Sequence, residues 1–425
     1  MELTVPGHPD AGRARAPRGG PGRGGPGRGD RGSGLPGAAL TLIHTGQAPT
    51  RSALTTALRV TRATAGAVAA ELRDLGLIEV DTGPPGGAQG RPSHRLRAHP
   101  AGPVALAAHI YPDGYTVALV GLGGHIVARA DTPADMRGDP APALAPAAAA
   151  GAELLRHSGR ACVGAAFALP TAIAEPEGTA VSPLYLSWPT GTKVRDTIAG
   201  LLADQGLTVP CQAVNDVNAV ALAEHRHGAG TGAAYLLVVS AEHRGVGAAL
   251  VLRGALYTGS TGLSMEAGHV SVDPGGLPCP CGNRGCLNVE TDAERFMTLS
   301  GRAARPDGPL LDQATAILAA EYESDPRVRA AAAALVQRLG LGLAGLINVL
   351  NPDRVLLGGL HKYLLEAAPD QLREAVALRS PWGRAAVVPI QPCALDAGGL
   401  IGAAERAWQP VLDDPATLAG SPAGR

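Results

Sequence analysis

Long apolar runs are missing from this 425-residue chain. Nothing approaches the 20 or so consecutive apolar residues that a membrane-crossing helix needs, so neither a membrane span nor a membrane partner is expected. The N-terminus, MELTVPGHPDAGRARAPRGG, has no apolar signal-peptide core, which points to a cytoplasmic location. Net charge is nearly absent too, at −1, but it is unevenly spread. Residues 1–100 hold 13 Arg against 7 Asp and Glu, whereas the rest hold 23 basic against 30 acidic residues. A basic front on an acidic body points to a polyanion partner at the front, although chance asymmetry reads the same way. Cysteine is scarce: there are six in all.

Three of those six, Cys279, Cys281 and Cys286, fall within eight residues, and His269 lies ten residues upstream of the first. Four soft N/S ligands close a tetrahedral shell around Zn²⁺ and leave no position for an activated water, so the pattern reads as structural zinc. Gly275, Gly276, Gly282 and Gly285 give the backbone the freedom to wrap the ion. Free or disulfide-bonded cysteines are the other reading, and the absence of a signal peptide weighs against it.

Residues 1–34 are almost entirely Gly, Pro, Arg and Ala, a composition that cannot bury a core and is expected to be disordered. Such a tail either adds non-specific attraction to DNA phosphates or is a functionless leader. Order is expected over 35–98. Three short helices follow one another, the third opened by Thr61 as N-cap with Ala67, Val68, Leu72 and Leu75 as its buried stripe. Two strands joined by a Gly/Pro-rich tip come next. That order is a winged helix-turn-helix, in which Arg62 and Thr64 at the start of the third helix reach base edges or phosphates. Arg91, within Gly90-Arg91-Pro92 at the tip, is a basic hook for the minor groove. A three-helix cap that binds protein is the alternative, but it gives the tip arginine no use.

From residue 101 to about 410 the pattern is α/β. A three-stranded meander, a helix, a strand, a helix and a strand are followed by a second, similar run. Two such halves imply a cleft between them. Residues 411–425 read as a C-terminal tail.

Glu266-x-Gly-His269 followed by Cys-x-Cys-Gly-x-x-Gly-Cys resembles the signature of the ROK family of sugar kinases and sugar-responsive repressors. The resemblance implies an actin-like, duplicated ribonuclease-H-like sugar-kinase domain, with a zinc loop, over 101–410. Repressors of the family carry a winged-helix domain in front of it; the kinases do not. It further implies that Asn215, Asp216, Glu266 and His269 contact a sugar, with Asp216 at the place of the kinases' catalytic base. At that place a helix N-terminus is expected to hold the carboxylate charged, and plain capping by Asn and Asp is the bland reading. Asn288 stands where the family usually has a glutamate and is expected to contact the sugar as well, hydrogen-bonding a hydroxyl without charge assistance.

The kinases' phosphate turns look dismantled. The first place reads His109-Ile110-Tyr111-Pro112-Asp113-Gly114, and the second puts Glu242 and His243 where glycines and a threonine are expected. Trp188 either stacks on a sugar or packs the core; Cys162, Cys211 and Cys393 read as packing residues. The reading reached is a non-enzymatic, homodimeric repressor with an operator DNA, a sugar or sugar-phosphate effector and structural Zn²⁺. An ATP-dependent sugar kinase with a regulatory head is the alternative, and a module sensing a phosphotransferase component is a third.

Overall fold

The computed structural model describes residues 34–81, 94–305, 308–385 and 387–420. The chain opens with three helices, α1 (Leu35–His44), α2 (Arg51–Leu58) and α3 (Arg62–Asp74). Thr50 and Thr61 cap α2 and α3 by accepting the amides of Ala53 and Thr64, each at 3.1 Å. The buried face of α3 is Ala65, Val68, Ala69 and Leu72, while Ala67 is exposed and Leu75 only half-buried. The expected stripe was therefore rotated: at 3.6 residues per turn, 65, 68, 69 and 72 share a face and 67 lies opposite. Strands β1 (Ile78–Asp81) and β2 (Arg95–Ala98) pair antiparallel. Their connection, with Arg91, lies outside the described residues.

The body has two five-stranded sheets. The first contains β3 (Val104–Tyr111), β4 (Gly114–Gly121), β5 (Ile126–Pro133), β6 (Cys162–Leu169) and a fifth strand at Cys211–Asn215. Between these come α4 (Pro140–Ser158), the small hairpin β7 (Ile173–Ala174) and β8 (Thr179–Ala180), and α5 (Val194–Asp204). With Cys211–Asn215 as β9, the sheet order is β5-β4-β3-β6-β9, antiparallel on one side of β3 and parallel on the other. Helix α6 (Asp216–His227) then leads to β10 (Tyr235–Ala241), β11 (Gly247–Leu252) and β12 (Ala255–Leu256). Past the Cys/His loop lie α7 (Leu287–Glu290), α8 (Ala293–Ser300), α9 (Leu310–Glu321), α10 (Pro326–Leu350) and β13 (Arg354–Gly359). The chain finishes with α11 (Leu360–Ala367), α12 (Pro369–Ala377), α13 (Pro381–Arg384), β14 (Ile390–Pro392), α14 (Gly398–Asp413) and a final 3-10 turn. The second sheet, β12-β11-β10-β13-β14, repeats the first.

By length and composition α10 is apolar enough to cross a membrane. Val328, Leu335, Leu339, Leu343 and Ile347 along it are fully buried in the second lobe's core, which accounts for that character. Cys162 and Cys211 lie in the core of the first lobe and Cys393 in that of the second.

The lobes are cross-linked by two helices. Although α6 follows the first sheet, its Val217, Val220 and Ala221 pack on the second; α14 follows the second sheet and packs on the first through Ala403, Ala407 and Trp408. The two helices cross so closely at Gly402 that a Cβ there would lie 1.7 Å from the Ala219 carbonyl oxygen. The expected tail at 411 begins later, because Val411 and Leu412 continue α14 and are buried in the same core as Leu40 and Leu54 of the three-helix head. Apolar burial at that joint overrides the polar look of the C-terminal sequence.

A buried charge sits at the same joint. Glu405 on α14 is 1% exposed. It accepts from His44 Nε2 of α1 at 2.9 Å and from His227 Nε2 of α6 at 2.8 Å, and pairs with Arg226 of α6. Burial opposes the charge, but His44, His227 and Arg226 hold the carboxyl well below the usual carboxylate range. Two imidazoles and a carboxylate resemble a metal site. However, His44 Nδ1 accepts the Gly123 amide at 2.8 Å, so Nε2 is the nitrogen that carries hydrogen and has no lone pair for an ion. Removing one member of a buried ion pair typically costs about 3–5 kcal/mol. Glu405→Gln is therefore expected to lower unfolding stability by about 3 kcal/mol in denaturant titration; a loss under about 0.5 kcal/mol would show the joint to be apolar only.

Candidate functional site

Asn215 ends β9 and Asp216 starts α6, and this strand-to-helix junction opens into a cavity of about 280 Å³ between the lobes. Asn215 caps the helix, its Oδ1 accepting the Asn218 amide at 3.0 Å and its Nδ2 donating to the Thr171 carbonyl at 3.2 Å. Asp216 is 6% exposed and accepts the Val217 amide at 2.8 Å. Glu266, just before a 3-10 turn at Ala267–His269, and His269, its last residue, line the same cavity. The glycine of Glu-x-Gly-His is set by a close approach: a Cβ on Gly268 would lie 1.8 Å from the Val246 carbonyl oxygen.

The structure thus brings Asn215, Asp216, Glu266, His269 and Asn288 together around one cavity. Asn288 uses its amide within the protein, accepting the Val246 amide at 2.8 Å and donating to the Tyr185 hydroxyl, so it fixes the β10–β11 loop as well as lining the space. Trp188 does not line it: the ring is 5% exposed in the first lobe's core and its Nε1 donates to the Met136 carbonyl at 2.9 Å. The polar lining residues not assigned to the sugar side include Tyr185, Arg244 and Glu242.

The charge expected on Asp216 is reversed. Burial, then the neighbouring Glu242 and Glu266 carboxylates, push its pKa up to about 8, outweighing the amides of the helix N-terminus. Burial also raises Glu242 and Glu266.

Glu242 borders a second cavity as well, of about 350 Å³, that reaches Gly358, Gly359 and Lys362. At its wall the end of β3 touches the β10–β11 loop. Tyr111 stacks on His243 with ring centroids 3.8 Å apart and planes 12° from parallel, and His109 meets His243 edge-on at 5.5 Å. Burial, with His243 and Arg129 nearby, lowers His109 to about 3, and burial lowers His243 to about 4. Both rings are neutral at pH 7, which suits stacking and not the holding of phosphate.

Beside the first cavity, His269, Cys279, Cys281 and Cys286 bring their ligand atoms within 4.8 Å of one another. Cys279 Sγ lies 3.6 Å from His269 Nδ1, and Cys281 Sγ lies 3.8 Å from Cys286 Sγ. Tetrahedral bonds of about 2.3 Å to sulfur and 2.0–2.1 Å to nitrogen require edges of roughly 3.6 Å (S to N) and 3.8 Å (S to S). The four side chains therefore fit a tetrahedral metal ion. Glu290, fully buried, braces the loop by accepting the Leu277 amide at 2.8 Å and meeting Arg338 Nε at 2.9 Å.

In the head, Arg62 is exposed at the start of α3, and Thr64 turns its hydroxyl back to Thr61 at 2.8 Å, inside the helix cap. Arg59, exposed in the turn before α3 with φ of 54°, was not singled out; a left-handed C-cap carries no clear sequence signal when it is not glycine.

Two five-stranded sheets of the same order, with a cavity between them and an adjoining Cys/His loop, define a class by fold: a two-lobed, duplicated α/β protein. The ROK family profile matches residues 113–409, and the chain belongs to that family. It is 33% identical over 156 residues, 34% of its length, to a glucokinase of Halalkalibacterium halodurans, covering 47% of that protein. It is 26% identical over 228 residues, 51% of its length, to a putative xylose repressor of a Caldicellulosiruptor species, covering 55%. The chain thus spans about half the length of these curated relatives. In fold it is similar to a solved ROK family transcriptional regulator described as a homologue of an Escherichia coli protein, with a TM-score of 0.70 at 23% identity over 89% of this chain and 96% of the other.

An acid whose folded pKa lies above its unfolded value contributes stability that is full below the unfolded value and lost as the pH rises through the folded one. For Asp216 that window runs from near pH 4 to about pH 8. Asp216→Asn mimics the protonated form, so the wild type should lose melting temperature relative to this variant between pH 5 and pH 9. Parallel curves would mean that Asp216 is ionised throughout.

Proposed function

We propose that this chain is a DNA-binding transcriptional regulator, a repressor of sugar-metabolism genes, whose cleft takes a sugar effector. The observation that carries this reading is the head. Residues 35–98 have the order of a winged helix-turn-helix, α3 presents exposed Arg62 at its N-terminus, and the fold likeness to a ROK regulator extends over more of the chain than the family profile does. The repressor relative supports it, while the glucokinase relative keeps the kinase as the competing branch.

Two features favour the regulator. The loops at the phosphate-turn positions close on each other through Tyr111 and His243, and Glu242 adds negative charge where a kinase must stabilise phosphoryl transfer. Asp216 is the feature that favours a kinase, and ADP release on adding sugar and ATP discriminates the two.

Helix α6 supplies a route for control. Its first residue lines the cavity and its last two hold Glu405 beside His44 of the head. A ligand that draws the lobes together tilts α6 and shifts the head, and in a homodimer this changes the spacing of two reading helices against half-sites about one DNA turn apart. The protein works in the cytoplasm, where the DNA is.

Arg62, Thr64 and Arg91 are proposed DNA contacts, Asn215, Asp216, Glu266 and His269 sugar contacts, and His269 with the three cysteines the ligands of a structural Zn²⁺. His269 Nδ1 faces Cys279, which leaves Nε2 for the cavity. Zinc would fix Glu266-x-Gly-His269 against the cleft.

Fluorescence anisotropy on DNA from the protein's own upstream region, against a scrambled duplex at near-physiological salt, tests the reading. Preference for the native DNA is expected, and Arg62→Ala should weaken it roughly 5- to 100-fold without moving the melting temperature. Equal, weak binding to both duplexes would sink the regulator. Separately, purified protein should hold zinc at about one ion per chain, and Cys281→Ser should lower both zinc content and melting temperature; an unchanged melting temperature would rule out a structural metal.

A further inference from the structure

We propose that Glu242 makes the cleft selective for an unphosphorylated sugar and excludes its phosphate ester. This rests on the sugar-site reading above and narrows it.

Three acidic side chains face the 280 Å³ cavity from three different segments: Asp216 from α6, Glu242 from the β10–β11 loop and Glu266 from the residue before the 3-10 turn. Among the described residues lining it, Arg244 is the one guanidinium or ammonium group, and its guanidinium is held at 2.7 Å by Glu294. His269 turns Nδ1 to Cys279. A sphere of that volume is roughly 8 Å across, so a ligand phosphate anywhere inside lies within about 8 Å of Glu242 and Glu266, and a negative charge on either opposes it.

The hydrogen-bonding inventory points the same way. Sugar hydroxyls donate, and carboxylate oxygens accept or, when one is protonated, donate once. A phosphate dianion only accepts, so it offers nothing to an ionised carboxylate. Arg244 is the lining cation that could answer it, and that group is already paired.

Glu242 is the member that decides the matter because of where it stands. It follows β10 directly, its carboxylate accepts the Ser240 hydroxyl, and it borders both cavities. A phosphate carried on a sugar hydroxyl and reaching from the first cavity toward the second passes this side chain. Beyond it the cations are engaged as well: Arg129 bonds Asp131 at 2.7 Å and Lys362 lies 3.7 Å from Asp396.

Titration calorimetry on the full chain, with glucose, mannose and N-acetylglucosamine each paired with its 6-phosphate, tests this. At least one free sugar should bind, its 6-phosphate at least 100-fold more weakly, and Glu242→Gln should narrow that gap at least 10-fold. A 6-phosphate that binds the wild type as tightly as its parent sugar overturns the selectivity and leaves the sugar site standing. A gap unchanged in a folded Glu242→Gln protein overturns the role of Glu242. Failure of all six ligands to bind overturns the sugar-site reading itself, and the selectivity with it. The wild-type comparison stands even where the variant does not fold.

Discussion

Glu405 carries its charge at the point where the head, α6 and α14 meet, with almost no water to solvate it. Desolvating a carboxylate is unfavourable by several kcal/mol, so the charge survives only because each oxygen is answered. Arg226 supplies the opposite charge, and His44 and His227 supply hydrogen bonds from two directions. An apolar side chain would fill the space without fixing a geometry. A carboxylate with three directional partners admits one arrangement of three elements, and the surrounding core of Leu40, Val120, Trp408 and Leu412 keeps water from offering another.

That constraint gives α6 its place in the molecule. The helix has 12 residues and is about 18 Å long, with Asp216 in the cavity at one end and Arg226 and His227 on Glu405 at the other. It packs on the second lobe through Val217 and Ala221 and crosses α14 at Gly402, where no side chain separates the helices. A packed rod of this kind transmits displacement instead of absorbing it, because close-packed interiors have few voids in which to bend.

What was legible in the sequence is what is encoded locally. His269 and the three cysteines lie within 18 residues, and their spacing alone brings the ligand atoms into tetrahedral range. The Thr61 cap, the meander of β3 to β5 and the repeat of the second sheet follow likewise from short-range pattern. The joint was not legible, since His44 and Glu405 are 361 positions apart and each reads as an ordinary surface residue. Nor was the protonation of Asp216: the helix N-terminus can be inferred from sequence, but the opposing Glu242 and Glu266 reach it only through the fold. Trp188 and Asn288 illustrate the same limit, because whether a side chain faces a ligand or its own protein depends on partners such as Met136 and Tyr185 from distant segments.

The two ends of the cleft are built for different tasks. At the end with His109, Tyr111 and His243, neutral rings from both lobes stack, and separating them would expose apolar surface and forfeit the contact. At the end with Asp216, Glu242 and Glu266, burial and then the crowding of three acids oppose ionisation, and Asp216 keeps its proton up to about pH 8. A stacked aromatic contact and an acid-lined cavity thus stand side by side in the cleft, joined by the Glu242–His243 segment. A ligand with several hydroxyl groups would offer hydrogen-bond donors to these acids, which an apolar ligand cannot do. In a kinase both ends must open to admit two substrates. Here the stacked rings stand in the wall of the second cavity, which still measures about 350 Å³, so what distinguishes this end is the neutral, aromatic character of its lining and not its closure.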